Sequence, residues 1–108
     1  MSIPEMTPSQ FLARSAEPLP VVLVDVREEW ELAVAAVPVP VVHMPLGQLT
    51  ARFRELDPAV ETVVLCRSGG RSLQAANFLA GQGFAKVHNL SGGILAWSRD
   101  IDPSIPAY

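Results

Sequence analysis

Three short apolar runs rich in β-branched residues, Val21–Val26, Glu61–Cys66 and Lys86–Leu90, are spaced along the chain. Segments of helical character lie between them and after the last. The runs at 21–26 and 61–66 do not alternate apolar with polar residues, so each has to be buried on both faces, as strands are in a parallel sheet covered by helices. Strands alternating with helices predict an α/β domain of three layers, a central and mainly parallel sheet with helices on both faces. At 108 residues the chain is near the commonest size of one domain, and a single domain over 1–108 is expected.

The segments between the strands can be read from their punctuation. Thr7 is positioned to cap a helix over 7–14, with Pro8 at its first position, and Pro18 and Pro20 end it. A helix is expected over Glu28–Ala36. The stretch 37–44 carries Pro38 and Pro40 and is expected to be extended, feeding at most a short edge strand around 41–44. Apolar residues at 46, 49, 53 and 56 have helical spacing. A further helix over about 71–80 is closed by Gly81 and Gly83, and Ser91 is the expected cap of a last helix over about 92–99.

Charge and composition exclude several classes of function. A net charge of −3 with no basic run argues against a nucleic-acid partner. The apolar runs are far shorter than the roughly 20 residues of a membrane-spanning helix, and Met1–Gln10 has neither the basic cluster nor the apolar core of a secretory signal. Cys66 is the only cysteine, so no internal disulfide can form, which fits a reducing, cytoplasmic setting. Cys66, His43 and His88 make no metal-site spacing; neither a metal nor a cofactor is expected. Nothing suggests an obligate partner subunit, and a monomer is expected.

The stretch Val63-Val64-Leu65-Cys66-Arg67-Ser68-Gly69-Gly70-Arg71-Ser72 carries the chemistry. A cysteine ends a buried strand, a short loop with two adjacent glycines follows, and a helix begins. Ligands of parallel α/β sheets bind at that edge. The glycines let successive N–H groups converge on one concavity, and the helix adds its positive end. A thiol there should be exposed, ionised and nucleophilic, with Arg67 and Arg71 stabilising the thiolate. A buried, inert cysteine is the bland alternative, and Arg-Ser-Gly-Gly-Arg is a poor sequence for a core. Phosphatases of the cysteine type place an arginine six positions after the nucleophile. Here that position is Ser72, and Arg71 stands five after Cys66. The shorter loop suits an atom the size of sulfur.

On these motifs the chain resembles the rhodanese-like family in its single-domain form. Asp25-Val26-Arg27-Glu28 with Trp30-Glu31, His43-Met44-Pro45-Leu46, the loop Cys66–Ser72, and Leu90-Ser91-Gly92-Gly93-Ile94-Leu95-Ala96-Trp97 follow in the family's order. The segment Ala35–Pro40 departs from it, lacking the family's glycines and histidine. The resemblance implies a rhodanese-type sulfurtransferase. Cys66 would take sulfane sulfur from thiosulfate or another persulfide donor, carry it as a persulfide, and pass it to an external thiol, cyanide or a thioredoxin-like protein. Arg67, Ser68, Gly69, Gly70, Arg71 and Ser72 would form the substrate-binding loop. The rivals are a non-enzymatic sulfur carrier or sensor dedicated to one protein partner, and a cysteine-dependent phosphatase or arsenate reductase.

The remaining polar and aromatic residues invite plainer readings. Asp25 and Arg27 share the sheet edge with Cys66 and are expected to brace the loop as an ion pair. His43 is expected to hydrogen-bond locally, His88 to stay outside the chemistry, Trp30 and Trp97 to pack helix against sheet, and Glu28 and Glu31 to face solvent.

Overall fold

The computed structural model describes residues 2–108. Five strands, β1 (Glu5–Met6), β2 (Val21–Asp25), β3 (Val42–His43), β4 (Glu61–Leu65) and β5 (Val87–Leu90), form one sheet in the order β1-β5-β4-β2-β3. All neighbouring pairs are parallel, with Leu23 opposite Val63 and Val64 opposite Asn89. The helices are α1 (Pro8–Ser15), α2 (Glu29–Val34), α3 (Leu49–Arg52), α4 (Gly70–Gly81) and α5 (Gly93–Asp100).

The expected double burial of the central strands is observed. Val24, Val64 and Cys66 pack with Leu49 of α3 and Ala75, Ala76 and Leu79 of α4 on one face. Leu23, Val63 and Leu65 pack with Phe11 of α1 and Ile94 and Trp97 of α5 on the other, together with Ala35 and Val37 beyond α2. The chain therefore crosses the sheet in one direction over one face and returns over the opposite face, which keeps its crossovers of one hand. The connections leaving adjacent strands β2 and β4 diverge to opposite sides. Their carboxyl ends thus flank the crevice where ligands of such sheets bind.

Local signals account for most boundaries. Thr7 caps α1 as expected, its side chain accepting from the Gln10 N–H in a full capping box. The prolines at 38 and 40 leave only the two-residue edge strand β3. Four details differ from the sequence expectations. The β1 strand is too short to show a periodicity. The span 46–56 is not one helix, since only Leu49–Arg52 is α-helical and 3₁₀ turns flank it on each side. Ser91 does not cap α5; the cap is Gly92, in left-handed backbone with no side-chain bond. Trp97 packs in the core as expected, but Trp30 is 62% exposed. No helix among the described residues is long and apolar enough to cross a membrane.

Candidate active site

Cys66 follows β4 directly, and the chain then turns through Arg67 and Ser68 into Gly69, which starts α4. Gly69 has φ of +113°, a conformation open to glycine and strained for other residues. This turn aims its N–H at the Cys66 Sγ, 3.0 Å away, and the Ser72 Oγ, from the first turn of α4, lies 3.2 Å from the same sulfur. From behind, α5 donates the N–H groups of Ile94 and Leu95 to the carbonyls of Cys66 and Arg67 at 2.9 and 3.1 Å. That approach requires Gly93, because a Cβ there would fall on those same carbonyl oxygens.

The thiol is not exposed, contrary to the sequence expectation: Cys66 is 1% exposed and forms the floor of the cradle. Burial pushes its pKa up, but the Ser72 hydroxyl and the backbone N–H groups of Ser72, Gly69 and Ser68 outweigh it, and the thiol titrates below its ordinary value. Hydrogen bonds do most of this lowering, and Arg71 adds a coulombic attraction to the sulfur. Arg67 is exposed at the rim, its Nε donating to the Tyr108 backbone oxygen at 2.6 Å and its guanidinium lying over the Tyr108 ring. Arg71 makes a bidentate pair with Glu31, at 2.7 and 2.8 Å. Neutral donors preorganised around a buried atom favour its anion.

Glu31 corrects a second expectation. It is 3% exposed and joins three structures. Its carboxylate accepts from Arg71, from the Glu28 N–H at the start of α2 (2.8 Å) and from the Tyr108 hydroxyl (2.8 Å). Arg71 chiefly holds its carboxyl at a pKa of about 2, against burial, with Glu28 and Tyr108 assisting. Asp25 and Arg27 form the expected bracing pair, fully buried, with Arg27 Nη2 2.8 Å from Asp25 Oδ2. The Arg27 Nη1 also donates to the Tyr108 hydroxyl at 3.0 Å. His43 bonds locally as expected, its Nε2 donating to the Arg27 carbonyl at 2.7 Å. His88 pairs with Glu61, the first residue of β4, at the end of that strand away from the thiol.

Sequence reasoning assembled the loop from Cys66 to Ser72 but missed Glu31, Asn89 and Tyr108. Glu31 stands three residues after Glu28 at a helix start, the spacing of a capping box, which was a usable signal. Asn89 interrupts an apolar strand, and its Oδ1 receives the Ser72 hydroxyl. Tyr108 lies in irregular chain and carried no signal.

The rhodanese-like domain family matches residues 7–100. A protein of Allochromatium vinosum named a sulfurtransferase is 37% identical over 95 residues, covering 88% of this chain and 88% of its own. A chloroplastic protein of Arabidopsis thaliana named for rhodanese-like and PpiC domains is 47% identical over 90 residues; the match covers 80% of this chain but only 30% of that protein. In structure, a rhodanese-related protein of Thermoplasma volcanium superposes with a TM-score of 0.82, at 22% identity, over 97% of this chain and 99% of its own. With a strand-end cysteine under converging N–H groups and these relatives, the chain belongs to the rhodanese-like family, among whose members are proteins named sulfurtransferases.

Proposed function

We propose that the protein is a sulfurtransferase that carries sulfane sulfur on Cys66. The observation supporting this is the Sγ itself. It is buried at the carboxyl end of a central strand, receives hydrogen bonds from Gly69 N–H and Ser72 Oγ, and has its thiolate favoured by them. In the first half-reaction the Cys66 thiolate attacks the outer sulfur of thiosulfate. A new S–S bond forms, the donor's S–S bond breaks, and sulfite leaves with the electron pair. In the second, an acceptor nucleophile attacks the outer sulfur of the persulfide, and the Cys66 thiolate is the leaving group. With cyanide the product is thiocyanate.

The N–H groups of Ser68, Gly69 and Ser72 stabilise the anionic sulfur in both halves, and Gly70 opens α4 as part of the same loop. Arg67 at the rim draws the anionic donor in, while Arg71, held by Glu31, shapes the wall. The chain has no second cysteine to resolve the persulfide, so the acceptor is external: a small thiol, cyanide or a thioredoxin-like protein. Steady-state formation of thiocyanate from thiosulfate and cyanide tests the reading. Turnover by the wild type and none by Cys66→Ser is expected. Rapid loading from a protein persulfide with no turnover of free thiosulfate would instead mark a carrier dedicated to one partner.

A further inference from the structure

Asparagine is a poor strand residue, yet Asn89 sits within β5 at 3% exposure, beside β4 and opposite Glu5 of β1. Its side chain is fully engaged. The Nδ2 donates to the Gly69 carbonyl at 3.1 Å and to the Glu5 carboxylate, with Oε2 at 3.1 Å. Both partners only accept, so they fix which end of the amide is nitrogen and turn Oδ1 toward Ser72. The Ser72 Oγ donates to that Oδ1 and lies 3.2 Å from the Cys66 Sγ. One amide therefore holds two of the residues that donate to the sulfur: Ser72 at its hydroxyl, and Gly69 at its carbonyl.

We propose that Asn89 is a positioning residue for Cys66, holding Ser72 and Gly69 in place as donors to the sulfur, with Glu5 orienting its amide. This deepens the sulfur-transfer reading and rests on it for its importance to turnover. The Ser72 hydroxyl has one proton and two acceptors in reach. While Sγ carries the charge, the proton is shared between the sulfur and Oδ1, and the short contact to Oδ1 fixes where Oγ sits. Once Sγ is bonded to a second sulfur and its charge has moved outward, the proton turns to the Asn89 Oδ1, so the buried hydroxyl stays satisfied through the cycle. The other charged groups near the thiol are Arg71 with Glu31, and Arg67 at the rim; an apolar substitution at 89 leaves these unchanged.

The test is the pH dependence of Cys66 alkylation by iodoacetamide in the wild type, Asn89→Leu, Asn89→Ala, Ser72→Ala and the double variant Ser72→Ala/Asn89→Leu. Asn89→Leu is expected to raise the midpoint by about one pH unit, an about tenfold lower alkylation rate below the midpoint. Asn89→Ala serves the same purpose if leucine does not fit beside Glu5. In the Ser72→Ala background the same change at 89 should move the midpoint distinctly less. A midpoint that stays or falls in folded Asn89→Leu or Asn89→Ala, or full additivity with Ser72→Ala, overturns the proposal. Alkylation needs no sulfur donor, so a shifted midpoint in a protein that transfers no sulfur supports the role of Asn89 and counts against sulfur transfer alone.

Discussion

Two loops leave the same edge of the sheet from adjacent strands, and they handle charge in opposite ways. The loop after β2 buries full charges and pairs them: Asp25 with Arg27, and Glu31 at the start of α2 with Arg71 from across the crevice. The loop after β4 surrounds a single ionisable atom with neutral donors. A buried ion pair is rigid because neither partner can leave without stranding the other. An atom held by N–H dipoles can gain or lose charge while its surroundings stay still, which is what a covalent carrier requires. The bridge between the two is Glu31–Arg71, which ties the first turn of α4 to the β2 loop and takes the hydrogen bonds of Arg71.

The comparison can be broken most forcefully on the charged side. Asp25→Asn leaves Arg27 buried without a counter-charge and should lower the unfolding free energy by about 3–5 kcal/mol, read by urea denaturation. Loss of less than about 1 kcal/mol would mean the pair is not what braces the loop. Acid should release the second pair. The carboxyl of Glu31 is lowered from 4.5 to about 2, so its contribution is complete above pH 4.5 and is lost as pH falls toward 2. With Arg71 partly open to solvent that contribution is about 1–2 kcal/mol, and Glu31→Gln should flatten this part of the pH–stability curve. On the neutral side the effect is smaller and appears in reactivity. Ser72→Ala removes one hydrogen bond to the thiolate, worth about 1.5–3 kcal/mol, and should raise the alkylation midpoint of Cys66 by about one to two pH units.

What could be read from the sequence followed from local rules. Val21–Val26 and Glu61–Cys66 announced doubly buried strands because their side chains satisfy both faces regardless of partner. Thr7-Pro8 announced a helix start because a cap acts within one turn. The Cys66 loop was legible for the same reason, since its glycines, helix start and serine lie within seven residues. Roles that depend on packing at a distance were not legible. Glu31 faces Arg71, and Tyr108 reaches both Glu31 and Arg27, only once α2, α4 and the end of the chain meet over the crevice. Arg67 and Arg71 were expected to serve the thiolate because they adjoin it in sequence; the fold gives their bonds to Tyr108 and Glu31.

The most direct measurement is the intact mass of the protein after incubation with thiosulfate, for the wild type and Cys66→Ser, followed by addition of cyanide. The wild type alone should gain the mass of one sulfur atom and lose it to cyanide with release of thiocyanate. A folded, reduced wild type that gains no such mass from thiosulfate or from a persulfide donor would contradict sulfur carriage by Cys66.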